Sequence, residues 1–177
     1  SMCHNNLKEP DKGIEVLEKS IYLKERLEKD NLLGSSLAQL GNAYKNKFQY
    51  VKAIEAYRKA LGKFTKYNND YHQGRVLLTL ARCFLDIGLM EDAQDYLHRA
   101  EVICKKFNEP IIMGRIKHFE AIIYLLKEDY DQAIHCFEES LEIFRDGELR
   151  KPSAEIMLEM MCAHITFDHS EKLEPIK

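Results

Sequence analysis

Apolar residues recur in steps of three and four along most of this chain, separated by short polar breaks. Leu37, Leu40, Ala43 and Tyr44 form one such run. Ala53, Ile54, Tyr57, Ala60, Leu61 and Phe64 form the next. This spacing lines up an apolar stripe on one face of an α-helix. Lys47-Phe48-Gln49 between the runs predicts a short turn, so the two helices read as a hairpin. The pattern returns every forty residues. Gly34, Gly74 and Gly114 share a column, as do Leu40, Leu80 and Glu120, and Gly41, Ala81 and Ala121. Further columns are Tyr44/Phe84/Tyr124, Ala53/Ala93/Ala133, Tyr57/Leu97/Phe137 and Ala60/Ala100/Ser140. Gly13 and Ser20 continue two of them upstream.

The periodicity predicts eight helices, over roughly 10–29, 33–47, 50–66, 71–87, 90–107, 111–126, 130–146 and 152–165. Asp30-Asn31, Asn68-Asn69-Asp70 and Asn108-Glu109-Pro110 supply turn chemistry between hairpins. Pro10 and Pro152 stand where a first helical turn accepts proline. The expected fold is an all-α, right-handed solenoid of antiparallel helical hairpins, a single unit over 1–177 that reads as a fragment of a longer array or an array with unusual ends. Its repeats cover about 34–73, 74–113 and 114–151, with partial repeats at 10–33 and 152–165. The columns have a mechanical reason. Two antiparallel helices cross closely only where side chains are small, as at Gly41/Ala81/Ala121 and Ala53/Ala93/Ala133. No hairpin buries both faces alone, so stacking makes the core.

Composition narrows the function classes. Of 177 residues, 45% are hydrophobic and 31% charged, and the net charge is −3. A nucleic-acid ligand calls for a strong positive excess, so none is expected. No apolar run is long enough for a transmembrane helix, and no secretory signal opens the chain. Cys3, Cys83, Cys104, Cys136 and Cys162 follow no spacing rule and read as reduced, mostly buried thiols of the cytosol or nucleus, and a cytoplasmic location is expected. No zinc signature, phosphate-cradling loop or nucleophile motif is present, so no metal, cofactor or catalytic residue is expected. Lys117 and Glu120 interrupt the apolar columns of the third repeat and are spaced to pair with each other.

Leu40-Gly41-x-x-Tyr44 followed by Ala53-x-x-x-Tyr57-x-x-Ala60 resembles the tetratricopeptide repeat. Leu80-Ala81-x-x-Phe84 with Ala93-x-x-x-Leu97-x-x-Ala100 resembles it nearly as well, and the third copy is weaker. The long forty-residue form, with Leu40-Gly41-Asn42-Ala43-Tyr44, is similar to repeats of kinesin light chains and LGN-type modulators. The resemblance implies a non-catalytic interaction scaffold whose first helices line a concave, partner-binding face. It puts Asn42, Lys45 and Asn46 there from the first repeat, Arg75 and Arg82 from the second, and Arg115 and His118 from the third. A basic inner stripe on a net-acidic protein fits an acidic peptide or helix of a protein partner. The lysine of a chaperone-tail clamp is missing, because Ala38 stands in its place. The alternative is an architectural module that bridges subunits of a larger complex by its edges or convex face. Met157, Met160 and Met161 crowd the last helix, and weak homodimerisation through it is expected.

Overall fold

The computed structural model describes residues 9–27, 30–106, 109–146, 154 and 156–165. Among them the chain is all-α. The helices are α1 (Glu9–Arg26), α2 (Asp30–Asn46), α3 (Tyr50–Lys66), α4 (Asp70–Asp86), α5 (Met90–Cys104), α6 (Pro110–Leu126) and α7 (Tyr130–Asp146). An eighth, α8, covers residues 156–165. Pro110 opens α6, where its missing N–H costs nothing; Pro152 lies outside the described residues. Three boundaries differ from expectation by three residues, the first being the end of α1, which stops at Arg26 with Leu27 already turning. Helix α2 starts at Asp30 rather than at 33, because Asp and Asn suit the positive end of a helix as well as they suit a turn. Helix α5 stops at Cys104, and Lys105-Lys106 already turns.

The turn inside each hairpin is the same device three times over. Phe48, Gly88 and Glu128 stand forty residues apart, and all have left-handed φ, of 59°, 81° and 61°. The following amide reaches back to the carbonyl five residues earlier: Gln49 to Tyr44, Leu89 to Phe84 and Asp129 to Tyr124, at 2.9–3.0 Å. These bonds satisfy carbonyls that a helix end would otherwise leave open. Only glycine adopts that φ without strain. Phe48→Gly is therefore expected to stabilise the fold by about 1 kcal/mol, and Gly88→Ala to destabilise it by a similar amount. Urea-denaturation midpoints check both signs.

The backbone divides within α5 into two compact units, Ser1–Tyr96 and Leu97–Lys177. In the first, α1 packs on α2, α2 on α3 and α3 on α4. The Tyr57 ring lies across Gly41, where a methyl group would sit 2.6 Å away. Phe64 lies across Gly34 in the same way, at 2.9 Å. Small residues on the first helix thus admit large rings from the second. The α1–α2 contact carries polar ties as well: Lys24 donates to Ser36, and the Tyr44 hydroxyl donates to Glu18 at 2.7 Å. That bond pushes the Tyr44 pKa up to about 12.

In the second unit α6 packs on α7. The Phe144 ring covers Gly114, and the buried Ser140 hydroxyl donates to the Gly114 carbonyl at 2.6 Å. Phe137, Leu141, Phe144, Ile156 and Ala163 form a continuous core with Ala121 and Cys136, so α8 is held through Ile156 and Ala163. Each large side chain buried there contributes roughly 1.5–3 kcal/mol. Lys117 pairs with Glu120 at 3.2 Å as its spacing suggests, and also with Glu139 of α7 at 3.1 Å. Burial works against its charge, but the Glu139 and Glu120 carboxylates overcome this and hold its pKa above the usual lysine range. This ion triad replaces apolar contacts made by Leu37, Leu40, Leu77 and Leu80 in the earlier repeats.

Candidate functional site

Five of the seven residues expected to face a partner lie on α2 and α4 of the first unit. Asn42 is exposed near the middle of α2, and its side-chain oxygen accepts a 2.7 Å hydrogen bond from the Tyr57 hydroxyl. The ring that fills the Gly41 gap therefore also fixes Asn42. Lys45 is half-buried in the last turn of α2, and Asn46 is the exposed final residue of that helix.

Two turns of α4 separate Arg75 from Arg82. Arg75 is exposed, with its guanidinium 5.6 Å above the Tyr71 ring, a cation–π distance. Arg82 is half-buried and pairs with Asp86 one turn on, at 2.8 Å. The sequence signals this pair by its four-residue spacing. Tyr50 stands at the start of α3; burial first, then the Asp86 charge, pushes its pKa up. Cys83 of α4 is buried, its thiol pushed up to about 11 by burial, with Lys45 and Arg82 pulling it down and Asp86 pushing it up. Lys45 and Asp86 thus stand in the last turns of α2 and α4, and both, with Arg82, act electrostatically on the Cys83 thiol. Tyr50 is a residue that the column pattern does not single out, since it falls at a helix start.

The remaining two residues belong to α6 in the second unit. Arg115 is half-buried near its beginning. His118 corrects the expectation of an open position, because only 2% of it is exposed. Its Nε2 lies 2.5 Å from Glu159 of α8, and its ring packs against Phe119 and Phe137. The physical reason is that α8 covers this part of α6, and Glu159 supplies a polar partner 41 residues away in sequence.

Among the described residues no group of three or more His, Cys, Asp or Glu side chains is placed to hold a metal ion. Cys83, Cys104 and Cys136 are buried free thiols and Cys162 is an exposed one. No described helix is long and apolar enough to cross a membrane.

Stacked hairpins of forty residues, small-on-large packing and left-handed turns define a tetratricopeptide-like repeat protein. Solved structures of that fold superpose on it. One is BtubC (BKLC) from P. vanneervenii, with a TM-score of 0.73 at 19% identity over 90% of this chain and 67% of that one. Another is a Podosopora anserina putative kinesin light chain with nearly identical TPR-like repeats, at 0.64 and 14%, covering 93% and 91%. Aspartyl phosphate phosphatase F from Bacillus subtilis gives 0.63 and 14% over 90% of this chain, which spans only 45% of that protein. The chain belongs to the RPN7 family: the family model described as 26S proteasome subunit RPN7 matches residues 2–172. No curated protein sequence matches it.

Proposed function

We propose that this chain is a non-catalytic protein-interaction module of the cytoplasm that holds an acidic segment of a partner protein against the α2–α4 face. The observation that carries the reading is the pair of α4 cations two turns apart, Arg75 over the Tyr71 ring at 5.6 Å and Arg82 held by Asp86 at 2.8 Å. Arginine forks match carboxylates in two-point geometry, and tyrosines add flat apolar contact. Asp86 already occupies Arg82, so an acidic ligand competes with a built-in carboxylate. Asn42, anchored by Tyr57, and Asn46 at the helix end extend the polar face. Arg115 belongs to the second unit and is not part of this face, and His118 is set aside because it is buried.

The test compares the wild-type chain with an Arg75→Glu, Arg82→Glu variant, folding being verified by circular dichroism. Binding of Asp/Glu-rich peptides is expected to weaken about tenfold or more in the variant. Partners captured from lysate are expected to be lost with it. Retention of the same partners by both proteins would assign binding to another surface.

The second reading is architectural, with the chain bridging subunits of a larger assembly. It is favoured by the matched family's description, which names a subunit of the 26S proteasome. In that case the charge reversal leaves capture unchanged.

A further inference from the structure

The two most exposed large apolar side chains among the described residues stand on one turn: Val51 is 80% exposed and Phe48 is 77% exposed. The other repeats show that the fold asks for neither. The column of Phe48 holds Gly88 and Glu128, and the column of Val51 holds Glu91 and Asp131. Phe48 is also a poor choice for its backbone, since its φ of 59° is one that glycine adopts without strain, as Gly88 does one repeat on. The ring gains little in return. It meets the Tyr50 ring edge-on at 6.3 Å, and most of it stands in solvent. A bulky apolar group that strains the chain and buries little of itself within it is placed to bury that surface against another molecule.

Charge sets the same turn apart. Residues 44–52 carry Lys45, Lys47 and Lys52 and no acid. The matching stretch 84–92 carries Asp86, Glu91 and Asp92 and no base, and 124–132 sets Glu128, Asp129 and Asp131 against Lys127. Lys47 directly precedes Phe48. Lys52 directly follows Val51, with its ammonium 5.5 Å from the centre of the Tyr44 ring. The first turn is thus an apolar knob between cations, on a chain whose net charge is −3.

We propose that the α2–α3 turn is a docking knob for a folded protein partner whose complementary surface is an apolar pocket bordered by carboxylates. Shape and charge both lead to this occupant. Phe48 and Val51 project from a hairpin turn, so the surface that buries them is concave. Aromatic side chains seated in pockets supply much of the energy of protein interfaces. Carboxylates at the rim of the pocket complement Lys47 and Lys52. An anionic membrane is a poorer match. Asp86, whose charge acts on Tyr50, belongs with Glu91 and Asp92 to the next turn of the same unit. A flat anionic surface resting on the first turn meets that acidic turn beside it, whereas a pocket can present its carboxylates to the lysines alone. The knob does not use Arg75 or Arg82, so it stands or falls separately from peptide binding on the α2–α4 face.

The probe is the full chain with p-benzoylphenylalanine placed at position 48, irradiated in lysate of the cells the chain comes from. A single protein is expected to be cross-linked. It is then purified and titrated against the wild-type chain and its variants. Phe48→Gly is expected to lower its affinity at least about tenfold. Unfolding cannot account for that loss, because this variant is expected to be the more stable one. A Lys47→Glu, Lys52→Glu pair is expected to lower the affinity by a similar factor and to flatten its salt dependence. Arg75→Glu with Arg82→Glu is expected to leave it unchanged. Any of four outcomes overturns the proposal. The first is the absence of a cross-linked protein. The second is a cross-linked protein that binds the Phe48→Gly or the lysine variant as tightly as the wild type. The third is cross-linking to a second copy of the chain, which makes the turn a self-contact. The fourth is flotation with vesicles of phosphatidylcholine and phosphatidylserine that Phe48→Gly abolishes, which makes it a membrane contact.

Discussion

Phe137→Ala is expected to destabilise the fold by about 3–5 kcal/mol, the usual cost of emptying a fully buried phenylalanine site. The ring is wholly inaccessible and sits among Ala121, Leu141, Phe144 and Ile156, residues drawn from α6, α7 and α8. It also lies beside the His118 ring at 6.0 Å, so its loss opens one wall around the His118–Glu159 contact. Little collapse can refill the gap, because each neighbour is itself pinned in the same core. A urea-denaturation midpoint checks the size of the effect, and Phe137→Leu should recover most of the loss. A cost below about 1 kcal/mol would mean that α8 is not held where it is described.

Gly41→Val is expected to cost about 2–3 kcal/mol. A first carbon at this position would already lie 2.6 Å from the Tyr57 ring, and valine adds two more. Replacing glycine inside a helix gains back roughly 0.5 kcal/mol, too little to reverse the sign. The ring has little freedom to swing aside: it is 1% exposed and its hydroxyl is bonded to Asn42. A thermal midpoint lowered by several degrees is the expected reading. An unchanged midpoint would show that the ring yields. Since Asn42 depends on the same ring, this substitution is also expected to disturb the α2–α4 face.

The fold was legible because each column reports a packing demand that recurs. Small residues at Gly41, Ala81 and Ala121 and large ones at Tyr44, Phe84 and Tyr124 leave few arrangements besides stacked hairpins. Helix ends were less legible, since Asp30 and Asn31 serve equally as turn residues or as the first turn of α2. The site was legible only in part, for a different reason. Spacing on one helix reveals partners such as Arg82 and Asp86, or Lys117 and Glu120. It does not reveal partners brought in by packing. Glu139 completes the Lys117 triad from α7, Tyr57 secures Asn42 from α3, and Glu159 reaches His118 from α8. Those three pairings decide which polar side chains stay available to a ligand, and none leaves a mark in the local pattern.

The principal helix contacts join neighbours in sequence: α1 with α2, α2 with α3, α3 with α4, and α6 with α7. Contacts between segments close along the chain cost little loop-closure entropy, and proteins built from them fold fast. During synthesis each helix therefore meets its packing partner among the residues just made, without waiting for a distant segment. A nascent chain of this design can settle hairpin by hairpin as it leaves the ribosome, which limits the time its apolar stripes spend exposed to other unfolded chains.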